Sequence, residues 1–114
     1  MAGDSAWEPY AANVLEKHTE VLSYAKNDHL GFQLHYLWKG SRRRFVPDFL
    51  IGLVNGCTLI LEIKGEDSEQ DKGKRAALDA WVKAVNASGG FGAWAWDVAF
   101  QPGQIEDVLK KWSS

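Results

Sequence analysis

Arg44-Phe45-Val46-Pro47-Asp48-Phe49-Leu50-Ile51 is followed, seven residues further on, by Leu59-Ile60-Leu61-Glu62-Ile63-Lys64. Each stretch reads as an apolar strand, and each carries charge where a buried strand should have none. Ionised groups are rarely buried unless they are paired or hold a metal. Asn55-Gly56 between the stretches is the strongest hairpin signal in the chain. A two-residue turn there would pair Asp48 with Ile63 and put Asp48 and Glu62 on opposite faces. A three-residue loop, Val54-Asn55-Gly56 with Gly56 left-handed, pairs Leu53 with Cys57 instead. That register sets Asp48 directly across from Glu62, with β-carbons about 4.5–5.5 Å apart. It is the expected one, because a one-residue slip would split the carboxylates across the sheet. Asp48, Leu50, Ile60, Glu62 and Lys64 would then share a face.

Two carboxylates this close repel, and would share a proton unless a cation lies between them. Lys64 supplies one positive charge. Magnesium, with its octahedral oxygen shell and retained waters, can bridge both acids. Asp48, Glu62 and the backbone carbonyl of Ile63 make a half-shell for Mg²⁺, with Mn²⁺ as a substitute. Lys64 would orient or deprotonate an attacking water, or stabilise charge developing on a phosphoryl oxygen. The plainer alternative is a surface salt bridge on an edge strand, but the flanking residues are too apolar for an edge.

Pro47-Asp48, thirteen further residues and then Glu62-Ile63-Lys64 resemble the PD-(D/E)xK nuclease signature. The resemblance extends to Lys26-Asn27-Asp28-His29-Leu30-Gly31-Phe32, Tyr36, the basic turn, Gly65 and Trp81-Val82-Lys83-Ala84-Val85-Asn86. Together these are similar to the C-terminal endonuclease domain of the restriction subunit of type III restriction enzymes, over nearly the whole chain. The resemblance implies Mg²⁺-dependent cleavage of DNA phosphodiesters and a restriction-endonuclease-like αβββαβ core. It also implies partners: a helicase-like ATPase module, and a modification subunit that supplies sequence specificity. Related nucleases often place a third acid on the first helix in an S-x-x-E setting like Ser5 to Glu8. Glu8 is therefore the expected outer metal or water ligand, with Glu16 in reserve and a helix-capping role for Glu8 as the alternative.

One hundred and fourteen residues make one domain, 1–114, large enough for a core. A single cysteine, Cys57, excludes an internal disulfide and a cysteine zinc cluster. No run is long enough to span a membrane and no signal-peptide pattern is present, so a cytoplasmic setting is expected. The net charge of −2 argues mildly against nucleic acid. Two bound Mg²⁺ ions would reverse it to +2, however, and the basic residues cluster at Arg42-Arg43-Arg44 and Lys72-Gly73-Lys74-Arg75. A homodimer is compatible with the composition.

The first helix is expected over residues ~5–24, capped by Ser5 and Glu8, with Pro9 in its first turn and Ala11, Ala12, Leu15 and Leu22 as its core stripe. His18 and His29 lack ligand spacing and read as surface or turn residues. Lys26-Asn27-Asp28 reads as a turn, with Lys26 a candidate phosphate contact. Residues 32–38 alternate as strand one. Lys39-Gly40-Ser41 then turns, and Arg42, Arg43 and Arg44 are either a solvated tip or a grip on phosphates. The two stretches quoted first are strands two and three. The acids after Lys64 read as helix N-terminal enrichment, with Ser68 as the cap. Helix two spans ~69–87 with Ala77, Ala80, Trp81, Ala84 and Val85 buried. Lys74 projects from its sheet-facing side, either reaching a phosphate or lying along its neighbours. Residues 93–100 alternate as a fourth strand, and Ile105, Val108, Leu109 and Trp112 give a short amphipathic last helix. The fold class expected is α/β, a central mixed four-stranded sheet flanked by helices.

The function expected is a metal-dependent endodeoxyribonuclease using Asp48, Glu62, Lys64 and Glu8, with DNA held by Arg42, Arg43, Arg44, Lys26 and Lys74. The alternative is a nuclease-fold module that binds DNA or a partner protein without cutting. A purely structural scaffold is the third reading.

Overall fold

The computed structural model describes residues 7–27, 32–63, 68–90, 92–101 and 103–113, with Trp7 and Glu8 by backbone alone. The order is α1 (Trp7–Lys17), β1 (Val21–Lys26), β2 (Leu34–Trp38), β3 (Ser41–Phe45), β4 (Phe49–Leu53), β5 (Thr58–Ile63), α2 (Glu69–Ser88), β6 (Trp94–Ala99) and α3 (Gln104–Ser113). Four strands form a mixed sheet in the order β1-β4-β5-β6; only β5 and β6 run parallel. β2 and β3 form a separate antiparallel hairpin. The described residues are thus α/β, with a four-stranded mixed sheet and three helices.

Leu59, Ile60 and Leu61 are inaccessible on both faces, as expected of a central strand whose residues are apolar without alternation. On one face Phe49, Ile51, Leu53, Leu59, Leu61 and Ile63 pack against Ala11 and Leu15 of α1 and Ile105, Val108 and Leu109 of α3. On the other, Leu50, Ile60, Trp94 and Trp96 pack against Leu78 and Val82 of α2 and Leu34, Tyr36 and Phe45 of the hairpin. A parallel pair needs a crossover connection, and α2 supplies it between β5 and β6. Ser68 caps α2 as expected: its hydroxyl accepts from Asp71 N–H at 3.1 Å while the Asp71 carboxylate accepts from Ser68 N–H at 3.2 Å.

The turn between β4 and β5 follows the three-residue loop. Leu53 N–H donates to the Cys57 carbonyl at 2.9 Å, Gly56 has φ +92°, and the ladder pairs Phe49 with Leu61 and Leu50 with Ile60.

Several expectations are corrected. The first helix ends at Lys17, not near residue 24, and Val21–Lys26 is a strand that covers the outer side of β4. His18 makes the break: its Nδ1 accepts from Glu20 N–H at 3.1 Å, a local bond that competes with continued helix. Leu22, expected in the core stripe, is instead the extra residue of a bulge between Val21 and Ser23 and is 74% exposed. The strand at 34–38 does not join the central sheet, and the run from Arg44 to Ile51 is not one strand. Pro47 has no N–H for a ladder, so the chain breaks at Val46-Pro47-Asp48 and the hairpin folds over the sheet. In α2 the buried positions are Leu78 and Val82, while Ala80 and Ala84 are exposed.

Candidate functional site

The break at Pro47 builds the site. In the β4–β5 register Pro47 would face Ile63 in a hydrogen-bonded pair, where it can offer no donor. The Ile63 N–H instead donates to Asp48 Oδ2 at 2.8 Å. One residue back, the Asp48 N–H donates to Glu62 Oε2 at 2.9 Å. Each acid thus holds the backbone at or beside the other, and the two carboxylates are locked across the strand pair. Glu62 is 2% exposed and Asp48 is half-buried. The carbonyl of Ile63 leaves its strand on the same side as its N–H, which is the side Asp48 occupies.

Asn27 clamps this arrangement from behind. Its backbone N–H donates to the Asp48 carbonyl at 2.8 Å. Its side-chain Nδ2 donates to the carbonyls of Phe32 (2.9 Å) and Pro47 (3.0 Å). The Pro47 carbonyl and the Asp48 N–H belong to one peptide group. Asn27 therefore holds the oxygen end of the group whose N–H end points at Glu62, and such chains of hydrogen bonds polarise one another. Two carbonyl acceptors fix which way the Asn27 amide faces. Its Oδ1 is left buried with no hydrogen-bond partner among the described residues. Sequence reading takes Asn27 for a plain turn residue. The available signal is a side chain able to satisfy carbonyls, placed where β1 ends, opposite Asp48 and beside the proline that disrupts the ladder.

Oxygen donors from two carboxylates and a carbonyl suit a hard cation such as Mg²⁺, which is commonly held by one or two carboxylates plus substrate phosphates. The described residues hold no cluster of three or more His, Cys, Asp or Glu side chains placed for a metal. Lys64 and the acidic run at 66–67 lie outside the described residues, as does the side chain of Glu8.

The residues expected to contact DNA fall in different places. Arg42, Arg43 and Arg44 lie in β3, all exposed. Lys26 ends β1, exposed. Lys74 is tucked between α2 and the hairpin, its Nζ 3.7 Å from Asp71 and 5.7 Å from the centre of the Phe45 ring, which favours lying along its neighbours over reaching out. Cys57 is partly buried, and burial pushes its thiol up from the ordinary value, which makes it a poor nucleophile. No protein-family model, characterised protein or solved structure matches the chain.

Proposed function

We propose that the chain is a Mg²⁺-dependent endodeoxyribonuclease domain of the PD-(D/E)xK type, similar to the nuclease module of type III restriction enzymes. The observation that carries this reading is the cross-strand lock between Asp48 and Glu62. The order of elements also supports a restriction-endonuclease-like core. With the β2–β3 hairpin set aside as an insertion, α1, β1, β4, β5, α2 and β6 run αβββαβ, and β1 takes the place that sequence reading gives to residues 34–38.

In this reading Asp48, Glu62 and the Ile63 carbonyl hold the cation. Bound there, it would activate water and neutralise charge on the phosphoryl oxygens. The Ile63 and Asp48 N–H groups keep one oxygen of each carboxylate fixed, so the donor set is oriented before substrate arrives. Lys64, one residue beyond β5, orients the attacking water or takes its proton. A P–O bond of the DNA backbone breaks, the water oxygen joins phosphorus, and the leaving oxygen is protonated. Glu8 remains the candidate for an outer water contact.

Plasmid nicking with Mg²⁺ and with EDTA tests the reading. Cleavage is expected only with the metal, and Asp48→Ala, Glu62→Ala and Lys64→Ala are each expected to abolish it while the fold persists. Undiminished metal-dependent cleavage in these variants refutes the assignment. Full DNA binding without any cleavage favours a non-cutting nuclease-fold module.

A further inference from the structure

We infer that the β2–β3 hairpin is a phosphate-tracking ribbon that seats duplex DNA beside the Asp48–Glu62 site. The inference rests on the nuclease reading for its choice of DNA. Residues 34–45 contain Lys39, Arg42, Arg43 and Arg44 and no carboxylate. The hairpin therefore carries +4 in a chain whose net charge is −2, which leaves −6 for all the rest.

The pairing sets the faces. His35 lies opposite Arg44 and Leu37 opposite Arg42. Leu34, Tyr36 and Phe45 turn inward and are buried, so His35, Leu37, Arg42 and Arg44 form the outer face. Leu37 is 72% exposed there. Arg43, paired with Tyr36, alternates to the other face and is exposed as well. Lys72, Lys83 and Lys111 each have a carboxylate oxygen within 3.4 Å, whereas none of the three arginine side chains makes an ion pair or a hydrogen bond among the described residues. Arg42 and Arg44, two positions apart on one face, repel one another, and such an array is complementary to a polyanion.

Spacing and composition choose the polyanion. Arg42 and Arg44 are ~6.8 Å apart along the strand. A duplex presents one charge per ~1.7 Å of axis, so both guanidinium groups can be satisfied at once. Arg44 precedes Asp48 by four residues, a reach of at most ~14 Å. That is less than half of a ~34 Å helical turn, so one duplex segment can meet both ribbon and site. Single strands are held largely by stacking on exposed aromatic rings. The outer face carries no Phe, Tyr or Trp, because Tyr36 and Phe45 point inward. The ribbon therefore tracks the backbone and adds affinity without reading sequence.

The test measures binding apart from cleavage. Anisotropy of a fluorescein-labelled 20-base-pair duplex is titrated in EDTA over a range of salt, with the full chain and two double variants. Arg42→Ala/Arg44→Ala is expected to weaken binding equally on unrelated sequences and to lower the slope of log K against log salt by ~1.8, about 0.9 per phosphate contact. Lys17→Ala/Lys110→Ala, which removes the same charge from α1 and α3, is expected to match wild type. All four positions are exposed, and circular dichroism checks that the variants are folded. An unchanged slope in the arginine variant overturns the inference. So does an equal loss in the lysine control, no duplex binding by the wild type, or tighter binding of single strands or duplex RNA. Cleavage of the same duplex in Mg²⁺ is scored separately: binding through the hairpin with no cutting refutes the nuclease reading alone.

Discussion

Replacing Asn27 separates a clamp from a filler. The wild-type side chain makes two hydrogen bonds to carbonyls and leaves Oδ1 buried without a partner among the described residues. Asn27→Ala removes both bonds, each worth about 0.5–1.5 kcal/mol net, and strands the Pro47 carbonyl at about 1–3 kcal/mol. It also removes the orphaned oxygen, which returns a similar amount. The net loss is then about 1–3 kcal/mol. Asn27→Asp keeps the shape, keeps the orphan and turns an acceptor toward two carbonyls, so its loss at neutral pH should be larger, about 3 kcal/mol or more. Burial beside two carbonyls raises the introduced carboxyl's folded-state pKa above its unfolded value of about 3.9. The folded variant then binds the extra proton, so its stability is greatest in acid and is lost as pH rises through the folded value. Once protonated, the introduced carboxyl can donate one bond, so the variant should recover in part at about pH 5.5. Urea melts of the wild type and both variants at about pH 7.5 and 5.5 measure this. An Asn27→Asp protein as stable as wild type at the higher pH would show that the amide clamps nothing. If the clamp also orients the metal site, Mn²⁺ affinity followed by EPR should fall about 10–100-fold in Asn27→Ala.

Other perturbations probe other links in the chain. Gly56→Ala forces a β-carbon into a backbone with φ +92° and should cost about 1 kcal/mol or more; an unchanged melting midpoint would contradict the three-residue loop. Asp79 accepts hydrogen bonds from the Trp96 indole at 3.0 Å and from Lys83, which lower its pKa. Its contribution is therefore present above the unfolded value and disappears as pH falls through the lowered folded one. Asp79→Asn should flatten the acid limb of the stability profile, and an identical limb in that variant would rule the contribution out.

The β4–β5 hairpin is legible because its signals are local. Asn55-Gly56 names the turn, and once the loop length is chosen, alternation places Asp48 across from Glu62. β1 is not legible. As an edge strand it is mostly half-buried or exposed, so Val21–Lys26 shows no strict alternation, and Leu22, seven residues after Leu15, imitates a helical stripe. The pattern in Leu34–Trp38 correctly signals a strand, but alternation does not say which sheet a strand joins. Pro47 decides that, through a missing donor whose effect appears only once Ile63 is opposite. Asn27 escapes for a similar reason: its carbonyl partners are 5 and 20 residues away, and nothing local requires it to turn inward.

The bulge at Leu22 has a further consequence for how copies of this chain meet. An uninterrupted outermost strand offers a neighbour a straight row of docking points, and identical copies can then add end on end without limit. Here the extra residue, an exposed leucine, throws that row out of step just as it begins. A copy approaching from that side meets an irregular start to the strand, a device by which edge strands discourage edge-to-edge pairing.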